Sequence, residues 1–174
     1  MDILSTWQTH LGFSNSIIIE QRGREWWQMD EWQAVDILYA EDLDADAEMT
    51  LRALRKSGLK HKVLRVRDGA EALEFLFRGG VFTKRDRTFP KLILLDMKMP
   101  RLGGLEVLRR VKSEDSTKNI PVVMLTSSAQ ESDMLDSYGF GANSYLVKPV
   151  QIADFTELVM QAGRYWLGMN HAPT

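Results

Sequence analysis

KLILLDMKMPRLGG, residues Lys91 to Gly104, decides the fold of this chain. Leu92-Ile93-Leu94-Leu95 is an apolar run about the length of one strand, entered from Lys91 and stopped by the carboxylate of Asp96. A continuous apolar run, in place of an alternating one, is the pattern of a parallel strand buried on both faces by helices. In an open α/β sheet the carboxyl ends of the strands face the ligand crevice, which places Asp96 where chemistry collects. Pro100 and the pair Gly103-Gly104 hold off a regular helix until Leu105. The loop behind Asp96 is therefore shaped, and an acid is presented on a rigid support.

Working outward, the same alternation continues on both sides. Upstream, Asp36 to Ala40 reads as a short apolar strand ending in Glu41-Asp42, and residues 45–56 as a helix with Ala47, Leu51 and Leu54 on one face, stopped by Gly58. Residues 62–67 alternate Val63, Leu64 and Val66 with basic residues, which predicts a half-exposed edge strand. Asp68-Gly69 turns the chain into a second helix over 70–77, and 79–89 is a polar, basic loop before Pro90. Downstream, 105–111 is a third helix, 120–125 a strand closed by Thr126, and 129–138 a fourth helix poor in large apolar residues. Residues 143–147 form the last strand, ending at Lys148-Pro149, and 152–166 the last helix, with Ile152, Phe155, Leu158 and Val159 on its buried face. Five strand-helix units predict an α/β, flavodoxin-like (βα)5 doubly wound parallel sheet with right-handed crossovers.

Bulk properties narrow the function. The chain has 174 residues, 44% hydrophobic and 26% charged, as expected of one globular domain with a little left over. A net charge of -2 and no basic run longer than Arg109-Arg110 argue against a nucleic-acid partner. No cysteine is present, which excludes thiol catalysis, disulfides and thiolate metal sites. No apolar run approaches the ~20 residues that span a bilayer, and MDILSTWQTH lacks the basic start of a signal peptide, so the expected location is cytoplasmic.

Residues 1–35 stand apart as a Trp-rich extension, holding Trp7, Trp26, Trp27 and Trp32 with no sustained period. Such an arm suits docking, because indole buries much area at low entropy cost. Met29, just before Asp30-Glu31, is an alternative start, in which case residues 1–28 are not native. Residues 36–167 form the expected domain and 168–174 a tail. With eight residues after Trp166, no output module is expected there, and signalling is expected to run through docking or phosphotransfer.

The strand ends carry the chemistry. Glu41, Asp42, Asp96, Thr126 and Lys148 all project from one sheet edge on this topology. Three carboxylates brought together at ~4 Å repel by about 4 kcal/mol per pair at an effective dielectric of ~20, so they require a cation. A hard, oxygen-ligated ion such as Mg²⁺ fits, since it takes one or two carboxylates, keeps waters and binds phosphate oxygens. Lys148 adds a point charge and Thr126 a hydroxyl donor. Together they suit a phosphoryl group, with one carboxylate as nucleophile and an acyl phosphate as product.

The segments LYAED, LILLDMKMPRLGG, VVMLTSS and YLVKP resemble, in order, the motifs of the response-regulator receiver domain of two-component signalling. The spacings of 30 residues from Asp96 to Thr126 and 22 from Thr126 to Lys148 agree with that family, and the likeness runs from Asp36 to Leu167. The resemblance implies that Asp96 accepts the phosphoryl group, that Asp42 binds Mg²⁺ directly and Glu41 through water, and that the Lys98 carbonyl completes the shell. It implies that Thr126 and Lys148 hold the phosphoryl group, and that Thr126 and Tyr145 form a switch reshaping the face of the fourth helix, fifth strand and fifth helix. The donor would be a sensor histidine kinase or a histidine phosphotransfer protein. In style the chain is nearest to single-domain regulators paired with phytochrome-type kinases, on the loop Phe82 to Pro90, the LTSS at Leu125 to Ser128 and the YWL at Tyr165 to Leu167. Such relatives pair through that same face, so a homodimer using Tyr138, Phe140, Tyr145 and Phe155 is expected.

Each residue has a plainer use: Asp96 as a turn former, Glu41-Asp42 as a helix start near the positive dipole, Thr126 as a cap, Lys148 as a solvated charge. Their convergence at one edge is what favours chemistry. A phosphatase of the haloacid-dehalogenase type needs a second Asp two residues after the nucleophile, and Lys98 stands there instead. That long cation is expected to influence the phosphoryl lifetime. The remaining alternative is a phosphorylation-independent adaptor that keeps the fold as a binding platform.

Overall fold

The structure is a computed structural model and describes residues 17–20, 35–58, 60–127 and 129–170, the first of these as backbone alone. Trp7, Trp26, Trp27, Met29, Trp32 and Ser128 lie outside the described residues. The strands are β1 (Ile17–Glu20), β2 (Ile37–Ala40), β3 (Lys62–Val66), β4 (Leu92–Asp96), β5 (Val122–Thr126) and β6 (Ser144–Val147). The helices are α1 (Asp44–Lys56), α2 (Gly69–Phe77), α3 (Gly104–Ser113), α4 (Glu131–Gly139) and α5 (Ile152–Arg164). All strand pairs are parallel and the sheet order is β1-β3-β2-β4-β5-β6.

Every residue of β2, β4 and β5 is buried. Alternate side chains of these strands feed two cores. One gathers Ile37, Tyr39, Leu92, Leu94, Val123 and Leu125 against α1 and α5, through Leu51, Leu54, Phe155 and Val159. The other gathers Leu38, Ala40, Ile93, Leu95, Val122 and Met124 against α2 and α3, through Phe75, Leu76, Val107 and Leu108. Burying a side chain of this size contributes about 1.5–3 kcal/mol, so the two faces hold the sheet between its helix layers. The expected α/β doubly wound sheet is what the structure shows.

Two expectations are corrected. The strand at 62–67 is neither half-exposed nor an edge: β1 pairs along it, and Val63 to Val66 are all buried, Arg65 included. The basic loop at 79–89 is partly built inward. A short 3-10 turn at Gly80–Phe82 buries Phe82 edge-on to Phe75, and Arg85 packs its guanidinium 4.1 Å from the Phe75 ring centre. The weak fourth helix is as expected, with Ser137 the buried residue of α4.

Candidate functional site

β2 pairs with β3 on one side and β4 on the other, so the chain reverses its direction of travel across the sheet between them. Connections leave that point to opposite sides and open a crevice over the strand ends. Glu41 and Asp42 follow β2 directly, Asp96 ends β4, Thr126 ends β5 and Lys148 follows β6. Carboxylate oxygens of Glu41, Asp42 and Asp96 all lie within 4.8 Å of one another. Glu41 and Asp96 are buried and Asp42 is half-buried.

At about this separation and an effective dielectric of ~20, ionised carboxylates repel by roughly 3 kcal/mol per pair. Lys148 offsets part of that repulsion. Its Nζ donates to Glu41 Oε2 at 2.6 Å, Asp46 Oδ2 at 2.8 Å and Asp96 Oδ1 at 2.8 Å. Burial works to lower the pKa of this ammonium, but hydrogen bonds to Asp46, Asp96 and Glu41 outweigh it and hold the group above the usual lysine range. For Glu41 the balance falls the other way. Burial raises its pKa, and the bonds from Lys148 and from Leu43 N–H, the latter at 3.2 Å, offset this only in part. The buried Tyr39 hydroxyl lies 3.2 Å from Glu41 Oε2 and 2.9 Å from Thr50 Oγ1.

The other oxygen of Asp96, Oδ2, accepts the Lys98 N–H at 2.8 Å. The loop behind it curls tightly, with Leu102 N–H on Pro100 O at 2.7 Å and Gly104 N–H on Met97 O at 2.9 Å. A Cβ at Gly104 would stand 2.2 Å from Asp96 O, so glycine is required there. Arg101 adopts φ 62, a left-handed backbone uncommon outside glycine, and its side chain pairs with Asp68 Oδ2 at 3.0 Å. The Lys98 side chain is exposed.

The structure thus brings together Glu41, Asp42, Asp96 and Lys148. Thr126 is buried at the neighbouring strand end, where its carbonyl accepts the Lys148 N–H at 2.7 Å. Tyr145 is 9% exposed and belongs to the core on the α2-α3 side. Two neighbours were missed from the sequence. Asp46 lies in the first turn of α1, just after the Glu41-Asp42 pair, where its carboxylate meets Lys148. Arg65 is buried beneath the acidic pair, and its alternating strand context carries no signal of that. The three-acid donor set is all oxygen, which fits a hard divalent cation.

Residues 37–160 match the response regulator receiver domain family. The chain is 37% identical over 139 residues to the probable methanogenesis regulatory protein FilR2 of Methanothrix harundinacea, covering 79% of this chain and 86% of that protein. It is 37% identical over 131 residues to the response regulator Rcp1 of Synechocystis sp., covering 75% of this chain and 88% of Rcp1. The crystal structure of the Mn(2+)-bound form of Rcp1 superposes with TM-score 0.74 at 36% identity, over 81% of this chain and 99% of that one. The phosphorylated cyanobacterial phytochrome response regulator RcpA gives TM-score 0.74 at 34% identity, over 81% of this chain and 100% of that one.

Proposed function

This chain belongs to the response-regulator receiver family, and on that premise we propose that it takes a phosphoryl group from a sensor histidine kinase, or from a histidine phosphotransfer protein, onto Asp96. The observation that supports this most is the convergence of three carboxylates and one ammonium at the sheet's switch point. In the reaction a carboxylate oxygen of Asp96 bonds to phosphorus as the phosphorus–nitrogen bond of a phosphohistidine breaks, and the imidazole keeps the electron pair. Glu41, Asp42, Asp96 and the Lys98 carbonyl would hold Mg²⁺, which when bound neutralises charge on the transferring oxygens. Lys148 supplies a second positive charge and Thr126 a hydroxyl donor, while the Lys98 N–H fixes the rotation of the Asp96 carboxylate.

The output is a change of shape. Thr126 and Tyr145 would couple the site to the α4-β6-α5 face, and α4, with Ser137 its buried residue, is the loosely held part of that face. We take 36–167 as the receiver unit, with 1–35 and 168–174 as flanking segments. The chain would act as a phosphoacceptor with slow autodephosphorylation and no separate substrate. A phytochrome-type kinase is the proposed donor, in line with RcpA and with the loop Phe82 to Pro90. A cytoplasmic location goes with that role; among the described residues no helix is long and apolar enough to cross a membrane.

Intact-protein mass spectrometry after incubation with acetyl phosphate and Mg²⁺ tests the reading. One added phosphoryl group is expected on the wild type and none on Asp96→Asn or in a chelator. No addition under any condition would return the chain to the adaptor class, a receiver fold kept for docking.

A further inference from the structure

Arg65 lies within β3 and is 3% exposed, an expensive place for a guanidinium unless its donors are satisfied. Among the described residues they reach the acidic loop. Nε and Nη2 donate to Glu41 O at 3.2 and 3.1 Å, Nη2 reaches Asp42 O at 3.3 Å, and Nη1 donates to Asp44 Oδ1 at 2.7 Å. Arg67 holds the same Asp44 oxygen at 3.0 Å. The two carbonyls belong to the residues whose carboxylates meet Asp96, so the fork grips the main chain from which those carboxylates project.

We propose that Arg65 is a positioning residue for the divalent-cation site: it pins the carbonyls of Glu41 and Asp42, fixing the aim of their carboxylates, and, with Arg67, restrains Asp44. The inference rests on the metal-dependent reading above. Charge and geometry predict opposite signs here, which makes it testable. A positive charge near an acidic cluster opposes cation binding, so on electrostatics alone its removal tightens the site. If Arg65 acts by positioning, its removal loosens the site instead.

The experiment is a Mn²⁺ titration followed by electron paramagnetic resonance of the free ion, on wild type, Arg65→Leu and Arg65→Lys. It is run below the unfolding temperature of each variant measured in EDTA. A dissociation constant raised about tenfold or more is expected for Arg65→Leu, the usual effect of losing a group that orients metal ligands. A smaller rise is expected for Arg65→Lys, which keeps the charge and loses the planar fork. An unchanged or tightened constant in Arg65→Leu, even with lowered thermal stability, would overturn the proposal and leave Arg65 as a structural residue. Should Arg65→Leu not fold, Arg65→Lys decides alone, a wild-type constant overturning the proposal and a weakened one supporting it. Wild-type protein that takes up no Mn²⁺ would instead sink the cation site itself.

Discussion

Glu41 is fully buried and shares the Lys148 ammonium with Asp46 and Asp96. Burial lifts its pKa above the ordinary 4.5 despite that pairing. A carboxyl that binds its proton more tightly folded than unfolded contributes stability below its unfolded pKa and loses it as pH rises through the folded value. Above the raised folded value an ionised Glu41 therefore costs the fold stability. In EDTA near pH 7, Glu41→Gln is expected to be more stable than wild type by about 0.5–2 kcal/mol, the range typical of a single stabilising substitution. The advantage shrinks as pH falls through the raised folded value and is smallest below about 4.5, where the wild-type carboxyl is protonated in both states. Urea unfolding at the two pH values checks it. A Gln variant less stable near pH 7 would show that the bond from Lys148 outweighs burial.

Between elements, Asp36 is the tie at the opposite edge of the sheet. Its Oδ2 accepts Lys62 N–H of β3 at 2.9 Å, its Oδ1 pairs with Lys91 Nζ at 2.8 Å, and its carbonyl accepts Leu92 N–H of β4 at 3.2 Å. His61 abuts this tie with Nδ1 3.9 Å from Asp36 Oδ2, and neither ring nitrogen makes a hydrogen bond among the described residues. Burial lowers the His61 pKa, Lys91 lowers it further, and the attraction of Asp36 offsets only part. The unfolded chain thus binds the proton more readily. Stability is fully present above 6.5 and is lost as pH falls from there through the folded value. His61→Leu is expected to flatten that loss, read as urea midpoints just above and well below the ordinary histidine range; parallel curves for both proteins would assign the pH dependence elsewhere. At this scale the sequence was legible wherever burial is continuous. The runs ending at Ala40, Asp96 and Thr126 announce the strands and place the candidate site at their ends, because helices cover both sheet faces and no alternation survives. Arg65 was not legible, since an alternating basic residue reads as solvated until a loop is found for it to hold. Ile17–Glu20 was passed over beside the aperiodic tryptophans, and its pairing with β3 is what removed the expected edge.

At the scale of the whole molecule, the face built from α4, β6 and α5 carries a concentration of exposed apolar side chains among the described residues. Leu135, Tyr138, Val147, Val150 and Ile152 are all exposed. The expected dimer residues divide here. Tyr138 at 50% and Phe140 at 39% are available, Phe140 also lying under the Arg109 guanidinium, 5.3 Å from its ring centre. Tyr145 at 9% and Phe155 at 2% are core residues in this conformation and cannot supply contact area, because each fills space between the sheet and its helices. A specific pair typically buries about 1,200 Å² or more in total, which a patch of this make-up reaches only if the whole face takes part. Phosphorylation is expected to bring that about by moving α4, so the chain should run as a monomer without phosphoryl and as a dimer with it. Size-exclusion chromatography with light scattering, before and after acetyl phosphate and Mg²⁺, measures this directly. Tyr138→Asp combined with Ile152→Asp should still gain the phosphoryl group by mass yet remain a monomer, because both positions lie outside the acidic site. Monomers in every wild-type sample would refute the dimer and leave the face to a different partner.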